Sequence, residues 1–258
     1  MDEDEKKLGM PRLSPDTRQH FTHPNEITPL WRYMNFAKFI SLLETRAIFM
    51  SRADRLGEDT FEGSIPSLNA MFRQRDFGDN PQLLGSWKAM TEDAVRRTFV
   101  SCWHMNENES AAMWRLYALE AIAIKSVFWR LLKQIPLGYY VGEVTYLNYE
   151  RELIAEERHI AVPFFHKRRS FEHERELRVV RYVMPPLKDP ITEQGGYDFE
   201  SPALGGLSLP VDIVQLIEAV YVSPHAAAWM RDTVEAVCNR YQLGRPVVQS
   251  SLFNGAVY

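Results

Sequence analysis

The stretch Phe164–Val180, FFHKRRSFEHERELRVV, carries glutamates at every second position, Glu172, Glu174 and Glu176, followed by Arg178. Its second half runs into Arg181-Tyr182-Val183-Met184, β-branched and aromatic, and stops at Pro185-Pro186, which predicts a strand from about Arg175. On a strand, alternate residues share a face. Glu172, Glu174, Glu176 and Arg178 then point one way, and Phe171, His173, Leu177 and Val179 the other. Carboxylates roughly 7 Å apart along one face repel unless a cation or a ligand sits among them. Such crowding raises a carboxylate's pKa or demands a partner, as active sites do. The plainer reading is a solvated charged face neutralised by Lys167, Arg168, Arg169 and Arg175. A helix would instead set Glu172 against Glu176 as a repelling i,i+4 pair, which favours the strand.

Other residues could join that chemistry. Arg32 sits inside the apolar run Leu30-Trp31-Arg32-Tyr33-Met34, where an unpaired cation is costly, so it either pairs with a carboxylate or lines a cleft and meets an anion. In Ser101-Cys102-Trp103-His104, strand alternation puts Cys102 and His104 on one face and Ser101 on the other. Cys102 reads better as a small buried hydrophobe than as a nucleophile, because no acid in the sequence orients His104. Trp114 and Tyr117, at i,i+3, read as helix core or as rings that stack on a planar ligand. The acidic segment Asp54–Gly63 matches no calcium-loop spacing. His166-Lys167-Arg168-Arg169 can touch phosphate, but three basic residues in a chain of net charge −4 do not make a nucleic-acid surface.

The elements that must hold these residues read as follows. Residues 1–26 are polar and predict a mobile tail, and residues 27–258 a single α+β domain, with mixed, mostly antiparallel sheet and flanking helices. Strands are expected at 30–34, 47–51, 99–105, 121–125, 139–147, 175–184, 218–223 and 246–252. Helices are expected at 36–45, irregularly over 65–97, at 111–119 with Ser110 as N-cap, after Ser126 as cap, at 151–158 and at 226–241. Residues 188–206 read as a Pro- and Gly-rich loop. The 258 residues are 45% hydrophobic, with six Trp and eleven Tyr, enough for a well-packed core and a lined cleft. Cys102 and Cys238 lie in no metal spacing and read as reduced thiols. The charged start lacks an apolar signal region, and no apolar run reaches membrane-spanning length, so the expected location is cytoplasmic.

Leu30-Trp31-Arg32-Tyr33, Phe99-Val100-Ser101-Cys102-Trp103, Ala112-Met113-Trp114-Arg115-Leu116-Tyr117 and Lys167 with Phe171-Glu172-His173-Glu174-Arg175-Glu176-Leu177-Arg178 occur in an order that resembles a large bacterial domain-of-unknown-function family, family 2971, over about residues 30–252. That family is similar, more distantly, to ADP-ribosyltransferases, which carry an Arg or His on a first strand, a Ser-centred middle strand and a late Glu-x-Glu strand. The resemblance implies Arg32, Ser101 and the pair Glu174 and Glu176 in those places. The middle strand departs from the pattern, reading Ser-Cys-Trp, and the acidic strand allows two frames, Glu172/Glu174 or Glu174/Glu176.

What the resemblance implies is an NAD-using transferase in bacterial conflict or phage defence. Glu176 and Glu174 would be catalytic, and Arg32, Ser101, Trp114 and Tyr117 would bind NAD, with an unidentified macromolecular acceptor and no metal. Breaking an N-glycosidic bond passes through an oxocarbenium-like state that a carboxylate stabilises. A second Glu can act as base toward the acceptor, and an Arg can clamp a pyrophosphate. Two other classes remain open. One is a metal-dependent nuclease or phosphodiesterase using Asp54, Glu58 or Glu62 with the three glutamates. The other is a non-enzymatic sensing or interaction domain whose glutamates form an ion-pair network.

Overall fold

The structure is a computed structural model and describes residues 20–57, 59–117, 121–155, 159–188 and 196–253. The tail expected over 1–26 lies outside the described residues up to 19. Residues 20–26 lie against the body instead: Phe21 is buried, His23 Nε2 is 2.8 Å from the Val141 carbonyl, and Glu143 donates to Thr22 O. Gly142 makes this approach possible, since a Cβ there would stand 2.7 Å from that of Phe21.

The chain runs β1 (Pro29–Asn35), α1 (Phe36–Thr45), β2 (Ala47–Arg52), α2 (Ser67–Phe77), α3 (Pro81–Arg97), β3 (Thr98–His104), α4 (Ala111–Leu116), β4 (Ala121–Val127) and α5 (Phe128–Leu132). It continues with β5 (Tyr140–Glu143), β6 (Thr145–Leu147), β7 (His166–Arg168), β8 (Glu176–Tyr182), β9 (Gly206–Pro210), α6 (Ile213–Leu216), β10 (Ala219–Val222), α7 (Ala228–Arg240) and β11 (Val247–Gln249). The fold is α+β: one mostly antiparallel nine-stranded sheet with flanking helices, and a separate two-stranded parallel pair, β6–β7. Local sequence explains several boundaries. Asn35 and Asn80 cap α1 and α3 by accepting from Lys38 N and Leu83 N, Pro81 fills the first turn of α3, and Ser110 caps α4 as expected.

Five expectations differ. The strand predicted over 139–147 is two, β5 and β6, because Val144 bonds back to Glu176 O. Ser126 caps nothing; it lies in β4 and donates to Leu216 O at 2.6 Å, while α5 begins without a side-chain cap. The helix expected at 151–158 is turn and extended chain over 151–155, and 156–158 lie outside the described residues. Within the loop expected over 188–206, residues 189–195 are likewise outside, and β9 begins at Gly206. The acidic strand starts only at Glu176, because Arg169–Glu174 form a 3-10 helix that ends at Arg175 in the left-handed region, φ 45°. Glu172, Glu174 and Glu176 therefore do not share one strand face.

The sheet order β11-β10-β4-β1-β3-β2-β9, with β8 and β5 continuing from β3, contains a split that makes the site. β8 covers all of β3 from Thr98 to His104. On the other edge of β3, β2 pairs only at Phe99 and Val100, and β1 only through Trp31 and His104. Between these contacts Ser101–Trp103 have no ladder partner on that edge among the described residues. One sheet face packs continuously on α1, α5 and α7 through Phe39, Leu43, Leu131, Met230 and Val234. The other carries two separate clusters. Phe164, Phe165, Val100 and Val180 lie over the β3–β8 half, and Trp31, Tyr33 and Trp114 over the β1–β4 half. A cleft opens where the strands part.

Candidate functional site

The cleft encloses about 810 Å³, and its lining includes Arg32, Tyr117, Glu174 and Glu176, together with Cys102, His104, Lys167 and Arg178. Of the residues picked from sequence, Ser101 and Trp114 are absent from that lining. Ser101 is buried behind Arg32, whose Nη1 donates to Ser101 Oγ while Nη2 donates to the Phe49 carbonyl of β2 at 2.8 Å. The guanidinium thus occupies the gap between β3 and β2. It lies 5.7 Å from the centre of the Trp103 ring and has no carboxylate partner among the described residues. Burial works against its charge and lowers its pKa. Trp114 is fully buried, donates Nε1 to Glu109, and meets Tyr33 edge-on at 4.9 Å. Tyr117 is half-buried and lines the cleft, with its ring 6.3 Å from that of Tyr33.

Glu176 is the first residue of β8 and is 3% exposed. Two cations hold it: Arg178 Nε donates to Oε2 at 2.5 Å, and Lys167 Nζ reaches Oε1 at 3.2 Å. Arg178, two residues on and on the same face, extends its fork to both oxygens of Glu62 at 2.7 and 2.8 Å and to the Phe164 carbonyl at 2.7 Å. Glu62 reaches that depth because the next residue is Gly63, φ +70°, where a Cβ would come within 2.4 Å of the Phe164 ring. Lys167, from β7, also holds Glu174 at 2.5 Å and lies 4.6 Å from the centre of the Phe171 ring. Glu172 is exposed.

The two carboxyls are driven apart in their protonation. Burial and a hydrogen bond to Glu176 raise Glu174 to about 8. Burial acts on Glu176 in the same direction but is outweighed by Arg178, by the hydrogen bond with Glu174 and by Lys167, which hold it well below the ordinary carboxylate range. At neutral pH the pair is one protonated carboxyl beside one anion, the arrangement that lets neighbouring carboxyls take different roles. Cys102 faces the cleft, and burial and the Glu176 charge push its thiol well up, which does not suit a nucleophile.

Sequence reading missed the partners that come from far along the chain. Lys167, a surface neutraliser on the charged-face reading, is 7% exposed; Glu62 enters the sequence reading only through the acidic segment and the metal-dependent alternative. Its distance of 116 residues from Arg178 leaves no local signal. Among the described residues no group of three or more His, Cys, Asp or Glu is placed to hold a metal ion; Asp54 is paired with Arg52, and Glu58 lies outside the described residues. No helix among them is long and apolar enough to cross a membrane.

No family model matches this chain, and no curated protein matches it. Among solved structures, Thermus sp. 2.9 DarT in complex with carba-NAD+ is similar at 9% sequence identity, covering 88% of this chain and 96% of that one, with a TM-score of 0.36. A likeness of that degree carries no argument about function, which is left to the residues of the cleft.

Proposed function

We propose that this chain is an ADP-ribosyltransferase-like enzyme that takes NAD as co-substrate and passes ADP-ribose to a macromolecular acceptor. The observation that supports it is the composition of one cleft: Glu176 fixed by two cations, Glu174 beside it with its pKa raised by burial, and Arg32 along the same lining with no carboxylate partner among the described residues. In the reaction, the bond between the ribose and the nicotinamide nitrogen breaks, and its electron pair leaves with neutral nicotinamide. Glu176 stands as the negative charge against the cation that develops on the sugar. Two donors of Arg32 are engaged, and the rest of its five remain for a pyrophosphate. Glu174 can accept the proton of the attacking acceptor only after losing its own, which favours transfer above about pH 8. Membership of family 2971, and a role in bacterial conflict or phage defence, belong to this proposal through the sequence resemblance alone.

A second reading is favoured by a specific observation. Both oxygens of Glu176 already meet cations, and Arg32 leaves β1 on the sheet face opposite Trp31 and His104, so the two ends share the cleft only through the split. An ion-pair network that only braces the fold of a non-enzymatic domain would look like this. The test is nicotinamide release from NAD by the wild type and by Glu176→Gln, beside thermal shifts with NAD, ADP-ribose, magnesium and manganese. Release and stabilisation by NAD, lost with Glu176→Gln, support the transferase. No release, with no shift from NAD or ADP-ribose, removes it in favour of the braced domain.

A further inference from the structure

His104 is the last residue of β3 and the point where three strands meet: its ladder partners are Trp31 on β1 and Glu176 on β8. Residues directly opposite in an antiparallel pair have Cβ atoms about 5 Å apart on the same face, so the imidazole and the Glu176 carboxylate stand side by side. The ring is 4% exposed, lines the cleft, and meets Tyr33 edge-on at 5.8 Å. Its Nδ1 is 2.8 Å from the backbone carbonyl of Glu174. A carbonyl oxygen only accepts, so Nδ1 carries the proton; in the neutral ring Nε2 then has a lone pair and can only accept. Burial lowers the pKa of His104 and so favours that neutral ring. Nε2 has no hydrogen-bond partner among the described residues. The residue lines the cleft, so this open acceptor is available to a donor on a ligand there.

We infer that His104 is a specificity-determining residue of the cleft, its Nε2 accepting one hydroxyl of a substrate vicinal diol whose other hydroxyl meets Glu176. Two acceptors on directly opposite, same-face side chains suit two neighbouring O–H donors on one ring, and both reject an anionic or acceptor-only group at that spot. This rests on the NAD reading above, in which the diol is that of the nicotinamide-bearing ribose. The nucleotide part of the substrate lies elsewhere along the cleft and is not what His104 reads.

The experiment compares nicotinamide release from NAD with release from its analogues lacking the 2′ or the 3′ hydroxyl of that ribose, in the wild type, in His104→Phe and in His104→Gln. Removing the hydroxyl held by His104 is expected to cost the wild type about tenfold in kcat/KM, the scale of one hydrogen bond left unmade. In His104→Phe the same analogue should lose nothing further relative to NAD. Because Nδ1 also holds the Glu174 carbonyl, a merely structural role would slow all three substrates alike and keep the wild-type discrimination. That result overturns the inference while leaving the NAD reading in place. A wild type that releases no nicotinamide overturns both. Should both variants fail to fold, 15N NMR of the wild-type protein decides. The Nε2 resonance moves upfield on adding ADP-ribose if it accepts a hydroxyl, and an unmoved resonance with bound ADP-ribose overturns the inference.

Discussion

Two buried arginines, Arg97 and Arg178, show how similar residues serve different ends. Arg97 closes α3, is 5% exposed and donates Nε to Asp93, one turn earlier, at 2.8 Å; its Nη2 donates to both the Phe199 and the Ser201 carbonyls. That network has one carboxylate and then ends in backbone, tying a helix to a distant loop. Arg178 is 1% exposed and bridges two carboxylates, Glu62 and Glu176, and Glu176 passes on to Lys167 and Glu174 at the wall of a cleft. Burial makes both pairs expensive to break. Only the second leaves charge beside space for a ligand, so burial and pairing alone do not mark a site.

The largest effect should separate the two directly. Arg178→Met strands Glu62 in the interior, leaves Glu176 to Lys167 alone, and is expected to cost about 3–5 kcal/mol in denaturant unfolding. Arg97→Met strands one carboxylate and is expected to cost about 1–3 kcal/mol, with nicotinamide release within about twofold of wild type at a temperature where it stays folded. Equal costs, or equal losses of release, would erase the distinction between brace and site.

Glu176→Gln comes next. It keeps the shape and one hydrogen bond to Arg178 but removes the anion, and should lower nicotinamide release by at least about a hundredfold at a temperature where the variant stays folded. Glu172→Gln, on an exposed side chain, is the control and should stay near wild type. Similar rates in both variants would take catalysis away from this strand. At the other end of the cleft, Arg32→Lys keeps the charge but not the fork that spans Ser101 and Phe49 O. We expect KM for NAD to rise about tenfold with kcat moved less, and an unchanged KM would confine Arg32 to filling the gap in the sheet.

Much of this arrangement was legible where short-range physics decides. Period-two alternation places Cys102 and His104 on the face opposite Ser101, as β3 has them, and the strand expected from about Arg175 holds from Glu176 on. The cap at Ser110 likewise follows from residues a few positions apart. What escaped depends on backbone that sequence patterns do not encode. Arg175 in the left-handed region ends the 3-10 turn and separates Glu174 from the strand, although both glutamates still converge on Lys167. Ser126 looked like a cap because a helix follows it, yet its hydroxyl found the Leu216 carbonyl, 90 residues away. Glu62 reached Arg178 through a glycine turn whose use appears only once Phe164 is packed against it.

The smallest expected effect tests whether the site differs from the brace in how it handles protons. Glu174 is held at about 8, above its ordinary 4.5, by burial and by its hydrogen bond to Glu176. Folding therefore favours the protonated form. That contribution is complete below about pH 4.5 and is lost as pH rises through about 8. Glu176 is held low, so its contribution is present above its ordinary value and is lost only as the pH falls through its folded value, in the acid range. The two windows lie on opposite sides, and a scan between about pH 5 and 8 reads mainly Glu174. Wild-type Tm should decline more steeply over that interval than the Tm of Glu174→Gln, which has no proton to lose. Over the same interval, transfer to an acceptor should rise in the wild type while nicotinamide release stays level, and Glu174→Gln should flatten the rise without abolishing release. Parallel Tm curves for the two proteins would mean that Glu174 titrates like a surface carboxylate, and the cleft would then be as electrostatically closed as the Arg97 pair.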